Sequence, residues 1–316
     1  MEMTLQEMAR ALKALPAAKI YFHKKPDGDA VGSACGLALG LTSLGIPCEL
    51  LCTDPVPESY TQAVAAVPVQ SRADAVGITV DCSTQARLGR YSDREIALCI
   101  DHHGDNTVNA PAKFVRPEAS SCCELVFALL QEMGVNITEQ MADFLYTGLY
   151  TDTSGFRAVS TNADSLAAAA ALAAKGAHVV EIGRKFGLKK SRARMEMEAL
   201  MTANFHYLLD GRILSTYYNY PDRQRIGTTN ADMETINLLV EQVEGVEIGI
   251  VVREGTQGHC RVSVRTEGNL NAAELCARFG GGGHDNSAGC EVDGTPAQVV
   301  PLLEQAALAY YRHMRG

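Results

Sequence analysis

Short apolar runs recur through the first half of the chain, and two of them, 77–80 and 96–100, end at an acidic residue. They limit the fold more than any other feature. Residues 18–22, 48–52, 77–80 and 96–100 read as strands. Between and after them, 30–44, 120–133, 138–150 and 162–175 read as helices, the last almost polyalanine. Strands alternating with helices predict a parallel sheet covered on both faces. Beyond 185 the pattern changes. A basic stretch (Arg184, Lys185, Lys189, Lys190, Arg192, Arg194) leads into a helix over about 191–209. Strands then follow at 213–220, 246–253 and 260–265, with helices at 232–242, 271–278 and 295–313. The expected fold class is α/β. It has an N-terminal parallel-sheet domain over 1–184, a helical linker over 185–209 and a smaller α+β domain over 210–316.

Composition limits the function classes. With 316 residues, 47% hydrophobic and 21% charged, the chain can bury two cores and is not disordered. No apolar run reaches the roughly 20 residues of a membrane span, so no membrane partner is expected. The first fifteen residues form an amphipathic helix without the basic and apolar regions of a signal peptide. The ten cysteines therefore read as reduced cytosolic thiols, and the expected location is cytoplasmic. A net charge of −9 opposes binding of long duplex nucleic acid, which needs a basic surface. A short phosphorylated substrate held by local cations remains compatible.

Four segments carry chemistry. The first, His23-Lys-Lys-Pro-Asp27-Gly-Asp29, follows the first strand, and Gly28 lets two carboxylates approach each other. The second is Asp81, at the end of the third strand. The third is Asp101-His102-His103, at the end of the fourth. The fourth is Asp152, at the end of an apolar helix. In parallel α/β sheets, ligands sit beyond the carboxyl ends of the strands. Each segment alone also fits a surface turn, a solvated loop or a helix cap. Together and in order they form a candidate metal site of His23, Asp27, Asp29, Asp81, His102 and Asp152. Oxygen donors with a minority of imidazole suit Mn²⁺ or Mg²⁺ better than zinc. Six ligands can hold two metals if one carboxylate bridges, which suits phosphoryl transfer.

These segments resemble the motifs of the DHH phosphoesterase superfamily. The second half extends the likeness: Phe279-Gly-Gly-Gly-Gly-His284, then Ser287-Ala-Gly289, is similar to the glycine-rich signature of the DHHA1 domain. Asp285 and Asn286 stand where the family commonly has small residues. The two-domain length resembles the NrnA-type branch of bifunctional oligoribonucleases and pAp phosphatases. The resemblance implies a hydrolase with two divalent metal ions, manganese before magnesium, that activate a water for in-line attack on phosphorus. Asp81 bridges, His23 and Asp27 hold one metal, and Asp29, His102 and Asp152 hold the other. Asp101 orients a neighbouring histidine, and His103 lies near the scissile phosphate. His284, the glycines Gly281, Gly282 and Gly283, and Arg265 grip the nucleotide end as the DHHA1 domain closes.

The implied partners are short single-stranded RNA, linear dinucleotides such as pApA, and 3′-phosphoadenosine 5′-phosphate; a homodimer stays open. Two alternatives remain at this stage: a pyrophosphatase or exopolyphosphatase using the same metals, and a non-catalytic nucleotide-binding module. The ten thiols read first as structural, and the tyrosines at 217, 218 and 220 as part of a β-domain core or surface strand before a base-stacking platform.

Overall fold

The computed structural model describes every residue except Ala66, Val69, Ala231, Glu234 and Gly316, and gives no side-chain account of Gln62 and Ala63. The chain divides into two units, Met1–Lys189 and Lys190–Gly316.

In the first unit the order is α1 (Leu5–Lys13), β1 (Ala18–Tyr21), α2 (Gly28–Ser43), β2 (Cys48–Leu51), α3 (Glu58–Ala65), β3 (Val76–Val80), β4 (Leu98–Asp101), β5 (Ala112–Val115), α4 (Cys122–Glu132), α5 (Glu139–Asp152), α6 (Ala163–Ala174) and α7 (Val179–Ile182). The five strands form one parallel sheet in the order β2-β1-β3-β4-β5. Alternation sorts its side chains. Ile20, Ile78, Val80, Leu98 and Ile100 face the core built with α2, α4 and α5, while Tyr21 and Cys99 face a smaller cluster with Leu88 and Val108. The edge strand β5 was not expected, because its four residues include only a short apolar pair. The strand order reverses direction between β1 and β3. Such a switch point opens a crevice at the strands' carboxyl ends.

Helix α2 is buried along almost its whole length, as a helix apolar on every side must be. Glycines every fourth residue let α5 and α4 approach it closely. A Cβ on Gly32 would stand 2.5 Å from the Phe144 carbonyl oxygen and 2.8 Å from Cys123 Sγ. On the facing helix, a Cβ on Gly148 would stand 2.2 Å from Cys123 Sγ and 3.0 Å from the Asp29 Cα.

The second unit holds α8 (Arg192–Ala203), β6 (His206–Leu208), β7 (Ile213–Tyr218), α9 (Tyr220–Ile226), β8 (Ile248–Thr256), β9 (His259–Thr266), α10 (Ala272–Ala277), β10 (Gly282–His284), β11 (Ser287–Asp293) and α11 (Pro296–Arg315). Its mixed sheet runs β10-β11-β9-β8-β7-β6, with only β7 and β8 parallel. The segment 185–209, expected as a separate linker, divides between the units. Residues to 189 belong to the first, and α8 packs Met197 and Met201 into a core of the second with Leu214 and Tyr218. The basic stretch is partly structural: Lys190 and Arg194 both pair with Glu198, at 2.7 and 2.6 Å. The helix expected over 232–242 is a 3₁₀ turn at Ile236–Gln242, and Glu234 within that span lies outside the described residues. All ten cysteines are free.

The α2–α5 approach leaves no room at Gly32, because the obstructing atoms include fixed backbone. Gly32→Ala is expected to destabilise the first unit by about 1–3 kcal/mol, read as a lowered midpoint of its transition in denaturant titrations.

Candidate metal centre

Three strand ends and one helix end deliver the donors. The turn after β1 brings His23 and Asp27, and Asp27 caps α2 by accepting the Ala30 N–H at Oδ1, 3.0 Å. Its other oxygen, Oδ2, lies 3.5 Å from His23 Nε2. Asp81 follows β3 with φ +49°, a left-handed backbone that costs a non-glycine residue and is held by its surroundings. Asp101 ends β4, and Asp152 ends α5.

Asp81 stands between two groups. Its Oδ2 is 3.4 Å from His23 Nε2, and its Oδ1 is 3.6 Å from His102 Nε2. On the second side, His102 Nε2 also lies 3.8 Å from Asp29 Oδ2 and 3.6 Å from Asp152 Oδ2. The donor atoms of His23, Asp27 and Asp81 converge within 4.8 Å, as do those of Asp29, His102 and Asp152. Atoms bound at about 2.1 Å to one cation stand about 3–4 Å apart, so these spacings suit shared ions better than direct hydrogen bonds.

Both imidazoles are oriented from behind. His23 Nδ1 meets the Lys24 carbonyl oxygen at 2.8 Å, and His102 Nδ1 meets that of Ala119 at 3.4 Å. A backbone carbonyl on one ring nitrogen fixes the tautomer that turns the other toward a metal. Asp101 is committed differently. Its Oδ1 accepts the His102 N–H at 2.9 Å and pairs with His103 Nδ1 at 2.8 Å, and its Oδ2 accepts from Asn106 Nδ2 at 2.6 Å. Asp101 therefore fixes His103, whose Nε2 is left for another partner. Asn106 in turn accepts from Lys113 Nζ at 3.0 Å.

Asp29 is fully buried and held by the amides that open α4: Cys122 N–H reaches Oδ2 at 2.6 Å and Cys123 N–H reaches Oδ1 at 2.8 Å. The positive end of that helix offsets part of its charge. The remaining electrostatics are strained. Burial, then Asp81 and Asp152, push the Asp29 carboxyl well up. Burial pushes Asp152 up to about 6, against the pull of His102. Burial opposes protonation of His23, but hydrogen bonds to Asp27 and Asp81 outweigh it and raise the imidazole to about 10. His102 rises to about 10 in the same way, chiefly through Asp81. Carboxylates crowded this closely are stabilised by cations among them.

The structure thus brings together His23, Asp27, Asp29, Asp81, His102 and Asp152, with Asp101 and His103 alongside. Arg265, His284 and the glycine run lie in the second unit. Residues 282–284 are strand β10, paired to β11, rather than an open loop. A Cβ on Gly281 would stand 2.3 Å from the Gly289 carbonyl oxygen, and one on Gly283 would stand 2.6 Å from the Ala288 Cα. Those two glycines serve the hairpin's packing, and Gly282 alone of the three faces open space. Arg265 Nε pairs with Glu241 at 2.7 Å. Sequence reasoning missed Asn106, Lys113 and the amides of Cys122 and Cys123. The first two had a faint signal in their closeness to Asp101, and the amides had none, since any residue supplies them.

A model of the DHH family, N-terminal domain, matches residues 18–149, and a model of the DHHA1 domain matches 213–312. The first ends short of Asp152, whose membership in the cluster rests on geometry. The chain is 29% identical to a bifunctional oligoribonuclease and PAP phosphatase, NrnA, of Thermus thermophilus, over 91% of this chain and 88% of that protein. It is 25% identical to a probable enzyme of the same name from Streptococcus mutans, over 88% of this chain and 90% of that one. The crystal structure of an exopolyphosphatase-related protein from Bacteroides fragilis superposes with a TM-score of 0.87 at 25% identity, covering 99% of this chain and 97% of that one.

Two carboxylates of the cluster separate in their expected effects. Asp29→Asn disturbs the amide pair at α4 and is expected to cost about 1–3 kcal/mol. Asp152→Asn removes repulsion and is expected to raise stability in EDTA by about 1 kcal/mol while weakening metal binding. Denaturant unfolding in EDTA and calorimetric Mn²⁺ titration read both. With both halves of the chain matched in order and the acidic cluster at the strand ends, the protein belongs to the DHH family, in the branch that carries a DHHA1 domain.

Proposed function

We propose that this protein is a metal-dependent phosphoesterase that hydrolyses short oligoribonucleotides, including linear dinucleotides such as pApA, and 3′-phosphoadenosine 5′-phosphate. The observation that carries the reading is Asp81, whose two oxygens address two different donor groups. His23, Asp27 and Asp81 would hold one divalent cation, and Asp29, Asp81, His102 and Asp152 the other. Oxygen donors with one imidazole on each side suit Mn²⁺, with Mg²⁺ as the alternative. Bound there, the cations supply an activated water and neutralise charge on the phosphoryl group.

The chain's own groups do the rest. Asp101 holds His103 so that Nε2 can donate to a phosphoryl oxygen as charge builds on it. Asn106, tied to Lys113, keeps Asp101 in place. Buried Asp29, held by the Cys122 and Cys123 amides, fixes one wall of the site to α4. In the second unit, His284, Arg265 and the backbone at Gly281, Gly282 and Gly283 are assigned to substrate binding. Gly282 is the position where a phosphate meets the least obstruction. The relatives' names, which join oligoribonuclease and PAP phosphatase activities, support the substrate class. Among the described residues no helix is long and apolar enough to cross a membrane.

The test is a metal-dependent screen over pAp, pApA, tri- to pentaribonucleotides and pyrophosphate. Release from pAp and pApA is expected, abolished by EDTA and restored by Mn²⁺. Asp81→Asn is expected to lower kcat by at least about a thousandfold, with folding checked by circular dichroism. Turnover of pyrophosphate or polyphosphate alone would replace this reading with the other hydrolase class.

A further inference from the structure

One face of the second unit's sheet gathers arginines, one of which pairs with no carboxylate among the described residues. Pairing sets them in rows. Tyr218 on β7 lies beside Arg253 on β8, Arg253 stands opposite Arg261 on β9, and Arg261 stands opposite Glu291 on β11. Alternation along β9 puts Arg261, Ser263 and Arg265 on this same face. Arg261 and Arg265 have carboxylate partners, Glu291 at 3.3 Å and Glu241 at 2.7 Å. Arg253 pairs with no carboxylate among the described residues. Its Nη2 donates to Ser263 Oγ at 3.0 Å, and its Nε is buried without a partner.

Two arginines directly opposite each other repel, and a buried unpaired donor costs stability. Burial holds the Arg253 guanidinium below its ordinary range, and Arg261, Arg265 and Arg223 of α9 push in the same direction. Tyr218 is itself buried on the flank and offers only a phenol. An arrangement of this kind is satisfied by an anion with several oxygens, which a planar guanidinium recognises well.

We propose that Arg253 and Ser263, flanked by Arg223 and Arg261, form an anion subsite that takes a phosphate group of a nucleotide. Arg265 and His284 lie further along the same face, because His284 pairs with Ser287 and Ser287 with Arg265. From Arg261 to Arg265 the strand advances about 13 Å. Two anion positions on one face fit a nucleotide with two phosphate groups, such as a nucleoside bisphosphate or a linear dinucleotide. The nucleotide identity rests on the hydrolase reading above; the anion chemistry does not.

Thermal unfolding of the full chain in EDTA, with and without inorganic phosphate, reads the subsite without catalysis. The parent is expected to gain about 3 °C at saturating phosphate. Arg253→Met is expected to lose most of that gain while melting no lower than the parent without phosphate, because an unpaired buried cation is gone. If that variant does not fold, Ser263→Ala, which frees Nη2 from its anchor, is expected to reduce the gain in the same direction. In turnover of pApA, Arg253→Met is expected to raise KM about tenfold, with a smaller effect on kcat. An equal phosphate gain in the parent and in the folded variant overturns the subsite and leaves the hydrolase reading standing. A parent that responds to phosphate through Arg253 but turns over no pApA or pAp overturns the hydrolase reading and leaves the subsite.

Discussion

Asp81 is the point on which the first unit's architecture converges. It directly follows β3, the strand on one side of the switch point, and the turn after β1 on the other side delivers His23, Asp27 and Asp29. A carboxylate at this position can face both neighbouring strand ends at once, and a left-handed backbone turns it to do so. Its oxygens then lie 3.4 Å from one histidine and 3.6 Å from another. Moving Asp81 by one residue would turn its side chain to the other face of the strand. The two donor groups would then share nothing. The cost of the arrangement is carboxylate crowding, visible in the raised Asp29 and Asp152 carboxyls. Crowding of this kind is concentrated at sites that bind a cation or carry a reaction.

The crowding is made possible by packing elsewhere. Asp29 sits in the first turn of α2, and Asp152 in the last turn of α5. The two helices pack closely because Gly32 and Gly148 carry no side chains. Larger residues at those positions would separate the helices and move the carboxylates apart. The α4 amides complete the frame by fixing Asp29 from behind. Core packing and site geometry are therefore one requirement, met by small residues in the core and polar residues at its edge.

The site was legible in sequence because its donors are chemically distinctive and sit where apolar runs stop. His23, Asp81, His102 and Asp152 announce themselves by residue type and position. The support behind them does not. The amides of Cys122 and Cys123 are backbone groups, and the sequence marks those residues only as buried thiols. Lys113 acts from β5, a strand too short to stand out, and it reaches Asp101 only through Asn106. In the second unit the glycine run was read as gripping the nucleotide end, yet Gly281 and Gly283 are required by the close contact of β10 with β11. A run of glycines does not say whether the space beside it is filled by a ligand or by another strand; only tertiary structure separates the two. The 185–209 segment shows the same limit. Its helix was visible, but the packing of Met197 and Met201 into the second unit was not.

Net charge is a poor guide to what such a protein binds. A total of −9 describes the average surface and says nothing of how charge is distributed over it. What matters for a polyanion is which basic groups remain unneutralised. Lys190 and Arg194 are spent on Glu198, and Arg265 is shared with Glu241. Among the described residues, Arg253 pairs with nothing of opposite charge. A few such cations, set in a partly buried floor where solvent screens them less, can hold a small phosphorylated molecule firmly. They give a long duplex little purchase, because its affinity depends on many contacts spread along the backbone. In the proposed function, focused charge of this kind on an acidic protein suits a short substrate, independently of the shape of any cleft.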